Sequence, residues 1–331
     1  MRLLRGKWGC ALANNRPHHS RRSPLHIPDY SGGGNPRQSW ARTQHSRVPS
    51  WLARMRPYIV MSVLAVTQGC ERPPAFLYPD HPTGLAAAAL ADTAFTWQTR
   101  ESKHFRIHFQ SDSYAADHID EFVKDAEQAR ANGLRVLGER RFIPRIDGFH
   151  LKSRDQVKRL TCSPVRGWAD PESRTVLLVR SSSSNQGERH EVTHVLSHSL
   201  WGHSRDWQTT GWMSEAVATY AGGPCSGQSI DEIVAYADRQ GELIPLDSLA
   251  RKFRSYNDLV AYLQAGSFIG YIQESYGLSP VRALWDQGFE RLETILGKTP
   301  AAIDAEWRSH LESLYPHPQV EWVALRKNGC Q

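Results

Sequence analysis

A five-residue word, His190-Glu191-Val192-Thr193-His194, limits what this chain can fold into more than any other stretch. Residues four apart in an α-helix lie on one face about one turn apart, so a helix here lets both imidazoles reach one metal ion. Glu191 sits beside that face, where a carboxylate can take a proton from a metal-bound water. A catalytic zinc takes three protein ligands and keeps one position open. Glu215, within Gly211-Trp212-Met213-Ser214-Glu215-Ala216, comes 21 positions after His194. That distance lets one helix end, a connection turn and a second helix pack alongside. The expected metal set is His190, His194 and Glu215 holding Zn2+, with Glu191 as the expected catalytic base. The plain alternative is a solvated helix face that carries two histidines and a glutamate.

Net charge says little about this centre. The 331 residues carry a formal +6, yet residues 1–56 hold 11 Lys/Arg against a single acid, Asp29. Of the chain's 40 basic and 34 acidic residues, 29 and 33 follow, so the body is mildly acidic and no nucleic-acid partner is expected. Residues 1–54 are rich in Arg, Pro, Ser, Gly and His and lack hydrophobic periodicity; they read as a disordered basic arm or as a misassigned start. At 55–70 a short positive segment, Met55-Arg56-Pro57, leads into an apolar run over 58–66 and then Thr67-Gln68-Gly69-Cys70, as a secretory signal requires. The run is far shorter than the roughly 20 apolar residues of a membrane span. Gly69-Cys70 resembles a bacterial lipoprotein acylation site, with Thr67 where Leu is usual. Export follows, with a lipid anchor at Cys70 or, failing that, a periplasmic or secreted product. With Cys70 acylated and Cys10 removed, Cys162, Cys225 and Cys330 remain, which allows one disulfide and one free thiol. Cys162 and Cys225 both lie in loops beside the expected site, which favours a bridge between them.

Downstream, the Pro- and Ala-rich segment 71–94 reads as a linker. Alternation in His104-Phe105-Arg106-Ile107-His108-Phe109 predicts a half-buried strand with Phe105, Ile107 and Phe109 on one face. Ser111-Asp112-Ser113 opens an amphipathic helix to about Leu137, with Arg130 at its edge laying its stem on the core and its charge in water. Further strands are expected at 146–151 and 175–179, a helix capped by Ser153 through Leu160, and a loop over 161–170. From Gly211 onward the pattern is helical, near 211–221, 229–239, 256–276, 280–289 and 300–314. The fold class is therefore α+β: an α/β half over 95–205 with a small mixed sheet, a mostly helical half over 206–315, the cleft between them, and a tail over 316–331.

The company of the metal word carries a resemblance. Trp212-Met213-x-Glu215-Ala216, with Ala218 and Tyr220 beyond, resembles the W-[LM]-x-E-x-x-A-x-Y block of the gluzincin zinc metallopeptidases. Tyr276-Gly277 and Ala305-Glu306-Trp307-Arg308 resemble the end of the exported peptidase MA-like domain family. The likeness covers roughly 97–315, and 190–220 is its specific part. It implies a thermolysin-like arrangement with a zinc-binding helix pair, and an edge strand, matched here to 175–179, that holds an extended substrate by main-chain pairing. Ala261-Tyr262-Leu263-Gln264-Ala265 is similar to the Y-x-x-G helix whose tyrosine assists the developing oxyanion, so Tyr262 becomes the second catalytic candidate; Ala265 stands where the family more often has Gly. The bland reading of Tyr262 is a ring packed in a helical core.

Other residues fare differently. His198 lies about 12 Å along the helix from His190 and cannot share its ion, so it supports the site or lies at the surface. The metzincin word would need His at 200, where Leu200 stands, so His203 is no ligand. Asp206 and Thr219 are candidates for orienting a ligand, or else a loop acid and a helix-face threonine. The G-x-M-E-N stretch with which aminopeptidase gluzincins bind the substrate amine does not occur in 95–189. The resemblance thus implies an exported zinc-dependent metallopeptidase acting on a peptide or protein substrate, without aminopeptidase specificity. Two rivals stand beside it: a catalytically inactive cell-envelope binding scaffold, and a zinc hydrolase with a non-peptide substrate.

Overall fold

Short runs rich in β-branched and aromatic residues build a five-stranded sheet, and longer helical segments cover it and extend beyond it. The computed structural model describes residues 80–182, 187–256 and 259–330. The expected basic arm, the export segment with Cys70 and the first part of the 71–94 linker lie outside the described residues. The order is α1 (Gly84–Ala91), β1 (Trp97–Glu101), β2 (Phe105–Gln110), α2 (Tyr114–Asp117), α3 (Ile119–Val136), β3 (Ile146–Leu151), α4 (Arg154–Thr161), β4 (Gly167–Asp170), β5 (Thr175–Val179) and α5 (Glu188–Trp201). Then come α6 (Trp212–Gly222), α7 (Ile230–Arg239), α8 (Leu246–Tyr256), α9 (Leu259–Tyr276), α10 (Leu278–Gln287), α11 (Leu292–Leu296), α12 (Pro300–Leu314) and α13 (Trp322–Asn328). The fold is α+β.

Strand order is β1-β2-β3-β5-β4. The inner strands pair in parallel, β2 with β3 and β3 with β5, while β1 and β4 add antiparallel at the two edges. Strand 175–179 is therefore internal, which corrects its expected role at the edge. The edge beside α5 is β4, paired Gly167↔Leu178 to Asp170↔Thr175, where a loop is expected from sequence. Four residues including a glycine carry too little strand propensity to be seen alone; the ladder with β5 makes the strand.

Both faces of the sheet are covered. Phe105, Ile107, Ile146, Val176 and Leu178 meet the main core under α3 and α5. Phe149, Leu151, Leu177 and Val179 meet α1 and α4 through Ala86, Ala89 and Val157. Hence β2 is buried along its whole length rather than on one face. Its polar residues are buried as a network. Arg106 donates to both carboxylate oxygens of Asp147 at 2.7 and 2.8 Å, and His108 meets Asp147 at 3.2 Å and Thr99 at 2.8 Å. A buried charge persists only with such pairing.

Further differences lie in the helices, the buried charges and the tail. Helix α1 stands inside the expected linker because alanine is the best helix former, and its small buried Ala86 and Ala89 fit against the sheet's second face. The helix expected over 111–137 is interrupted at His118, where φ is −121°. Arg130 does not extend its charge to water: it is 9% exposed and donates to the Phe142 carbonyl. In the tail, α13 buries Leu325, and Cys330 forms a disulfide with Cys225, 105 positions earlier. That pairing replaces the expected Cys162–Cys225 bridge.

Candidate metal centre

Helix α5 is buried almost all round, between the sheet with α3 on one side and α6 on the other. Its start is tied to the sheet by Glu188, which pairs with Arg180 just after β5. The Arg180 guanidinium lies 4.3 Å from the Phe122 ring centre, and burial brings its pKa down to about 10. Two residues on from Glu188, His190 and then His194 point the same way, their Nε2 atoms 3.1 Å apart.

Helix α6 brings the third group. Asp206 organises its approach: Ser204 and Thr210 donate to its two carboxylate oxygens at 2.8 Å each, and the Met213 N–H donates at 3.1 Å. Asp206 thus caps the first turn of α6 rather than touching a ligand. Close packing on α9 fixes the helix from behind, since a Cβ on Gly266 would lie 2.7 Å from the Thr219 methyl. Glu215, in that first turn, places Oε2 3.2 Å from His190 Nε2 and 3.3 Å from His194 Nε2.

Sides of 3.1, 3.2 and 3.3 Å make a near-equilateral triangle of donor atoms. Tetrahedral ligands at zinc's bond lengths of ~2.0–2.1 Å lie ~3.3–3.4 Å from one another, so the triangle has the size of one face of that tetrahedron. Two imidazoles and one carboxylate are also a donor set suited to zinc. Charge agrees with geometry. Burial opposes ionisation of Glu215, but His194 and His190 overcome it and hold the carboxyl well below the usual range. Burial likewise disfavours a charged His190, yet its hydrogen bond to Glu215 and the field of Glu191 raise its pKa. Both shifts favour positive charge at the triangle's centre.

Behind the donor triangle runs a chain of polar contacts. His194 Nδ1 lies 3.0 Å from Ser214 Oγ, Ser214 Oγ lies 2.8 Å from His198 Nε2, and His198 Nδ1 lies 2.9 Å from His203 Nδ1. With Nδ1–H of His194 donating to Ser214 and the serine hydroxyl donating to His198, the Nε2 lone pair of His194 is free for a metal. A neutral His198 is the acceptor that this direction requires, and burial, then His194 and His203, bring its pKa down to about 3. His198 and His203 therefore stand behind the donor triangle and outside it, and Trp207 covers both, at 4.2 and 5.3 Å between ring centres.

Glu191 lies against the edge strand. A Cβ built on Gly167 would sit 2.3 Å from its Oε1, so only glycine leaves the carboxylate room. Burial raises the Glu191 pKa, with His190 and His194 opposing and Glu215 adding to the rise. Tyr262, on α9, packs on Phe253 at 4.9 Å between ring centres. Its pKa is pushed up to about 12 by burial and then by Glu215 and Glu191, which places the phenol in the field of the centre. The buried Thr219 hydroxyl has no hydrogen-bond partner among the described residues, and the residue lines the cavity.

That cavity, of about 580 Å³, opens over His190 and Glu191. Asp125 of α3, Arg166, Gly167 of β4, the connection from α6 to α7 and Cys330 line it as well. No family model and no curated protein sequence matches the chain. The gluzincin likeness therefore rests on the residues themselves. What sequence reasoning missed is tertiary: Ser214, Gly167 and Cys330 carry no spacing signal, since each matters through an element remote in sequence.

Proposed function

We propose that the chain is a zinc-dependent metallopeptidase of the gluzincin type, hydrolysing peptide bonds with Glu191 as general base. The observation that carries this reading is the donor triangle of His190, His194 and Glu215 with the Glu191 carboxylate beside it, at the edge strand β4. His190, His194 and Glu215 would hold the ion. A zinc ion bound there supplies a Lewis acid and lowers the pKa of a water to about 7.

The protein's own residues do the rest. Glu191 takes the proton of the attacking water and hands it to the leaving amine; its raised pKa suits a group that must both accept and release a proton. Tyr262 offers a phenol proton to the oxyanion that develops at the scissile carbonyl. Ser214 and His198 hold the His194 ring in the tautomer that binds. The free edge of β4 pairs with an extended substrate, which brings its backbone past Glu191. The Cys225–Cys330 disulfide supports an exported protein, since such bridges persist in oxidising compartments. Acylation at Cys70 would then tether the chain to the cell envelope.

Metal analysis of the purified chain, with Glu191→Gln assayed on a mixed peptide library, tests the reading. We expect one zinc per chain, lost in His190→Ala and Glu215→Ala. Glu191→Gln should keep the metal and lose ~10²–10⁴-fold in rate. A wild type without zinc refutes the centre. Zinc with no Glu191-dependent cleavage of peptide or ester points to a binding scaffold, and ester cleavage alone to a non-peptide hydrolase. The mass of the membrane-fraction protein, compared with Cys70→Ser, reads the anchor.

A further inference from the structure

The cavity over His190 and Glu191 reaches β4 at Gly167 and is lined by Arg166, Cys225 and Cys330 as well. Cys330 crosses it. Its sulfur is bonded to Cys225 in the connection from α6 to α7, and its carbonyl lies 3.5 Å from Arg166 Nη1, just ahead of β4. Both cysteines and Arg166 line the cavity with the site residues. The approach to this bridge is anchored along its length. Arg239 of α7 donates to the Pro316 carbonyl, Gln228 donates to the Gln319 carbonyl at 2.7 Å, and Trp322 donates to Glu242 at 3.2 Å. Leu325 enters the main core at 6% exposure. Residues 315–330 thus form a strap whose latched end spans the two walls of the cleft.

The position of the strap relative to β4 gives it a direction. Gly167, the first residue of β4, touches Glu191, so the reacting bond lies at that end of the strand. Antiparallel addition is the more stable pairing for a free edge, and a peptide added so runs with its carboxyl end from Asp170 towards Gly167. Beyond Gly167 it meets Arg166 and Cys330. Residues before the scissile bond then lie along the edge of β4, and residues after it point towards Arg166 and Cys330.

We propose that the Cys225–Cys330 latch makes this strap the end wall of the substrate cleft, and that the protein acts on peptides near a free carboxyl end, releasing short C-terminal fragments. This rests on the peptidase reading, and its test separates the two. A randomised peptide core is extended with a Gly/Ser tail of increasing length at its amino or its carboxyl end. We expect amino-terminal tails to leave kcat/KM unchanged and long carboxyl-terminal tails to lower it by about tenfold or more. Cys330→Ser and Cys225→Ser, each assayed below its own melting temperature, should cleave the tailed and untailed cores at similar rates. Equal tolerance of both tails in the wild type, a penalty on amino-terminal tails instead, or a penalty that survives loss of the latch overturns the proposal. If no peptide is cleaved by any form, the peptidase reading fails, and hydrogen exchange judges the wall by itself. Faster exchange of the amides of 166–170 and 222–227 in Cys330→Ser supports a latched wall, and unchanged exchange overturns it.

Discussion

Gly167→Ala isolates the position of Glu191 from every other property of the centre. The added methyl would lie 2.3 Å from Glu191 Oε1, 2.9 Å from its Cδ and 3.0 Å from its Cγ. Ordinary contact needs about 3.5 Å, so the carboxylate must move by about 1 Å. It is the free end of a side chain and can move, whereas the β4–β5 ladder behind Gly167 holds the backbone in place. His190, His194 and Glu215 are not touched. A displacement of about 1 Å at a reacting group costs on the order of 10²-fold in rate. The expected result is a fall of that size in kcat/KM, with zinc content unchanged and a melting temperature within a few degrees of wild type, because alanine suits a strand better than glycine does. Zinc analysis, a thermal melt and peptide-library kinetics on one preparation give all three readouts. Full activity with unaltered metal content would falsify the role of Glu191 at this position. Loss of zinc would show instead that β4 supports the ligands.

Other consequences follow from the same contacts. Ser214→Ala removes the acceptor of His194 Nδ1 and should weaken zinc binding by ~10–100-fold, read by competition with a chromophoric chelator; unchanged affinity would mean that packing alone orients the ring. Tyr262→Phe should lower kcat with little change in KM and leave zinc bound, whereas a tyrosine that only packs in the core would leave kcat untouched. Asp147→Asn leaves Arg106 buried without its carboxylate and should cost ~3–5 kcal/mol in urea unfolding at pH 7. Burial alone would raise the Asp147 pKa, but His108 and Arg106 outweigh it and the net shift is downward. A lowered folded-state pKa gives stability that is complete above the unfolded value of ~3.9 and is lost as pH falls through the folded one. The gap between wild type and Asp147→Asn should therefore narrow below about pH 4; a gap that is constant with pH would refute the ion pair as its source.

Helical spacing explains what was readable in the amino-acid sequence. His190 and His194 meet because positions four apart must meet on any helix, and Glu215 joins them because its helix starts at a turn marked by Gly211 and Trp212. The strand at 105–110 shows itself by alternation and that at 175–179 as a continuous apolar run, and both lie inside the sheet. Arg106, His108 and Asp147 gave no such signal: their burial depends on three elements closing over one another, and a charged residue reads as exposed until its partner is placed. Strand β4 and the Cys225–Cys330 bridge were hidden for a related reason. One exists only as a ladder with β5, and the other joins positions 105 apart along a path that α12 and α13 determine.

The same division runs through the centre itself. Residues that would bind the ion follow from local periodicity, but those that set how it works come from elsewhere in the chain. Gly167 belongs to an edge strand and leaves room for Glu191; Ser214 belongs to the partner helix and accepts from His194; Cys330 comes from the strap and lines the cavity. A metal word on a helix therefore determines a chemistry, while reach and register are settled by the elements packed around it. Substitutions at Gly167, Ser214 and Cys330 should accordingly separate three properties that ligand substitutions abolish together: rate with the metal retained, metal affinity, and the length of chain admitted beyond the scissile bond.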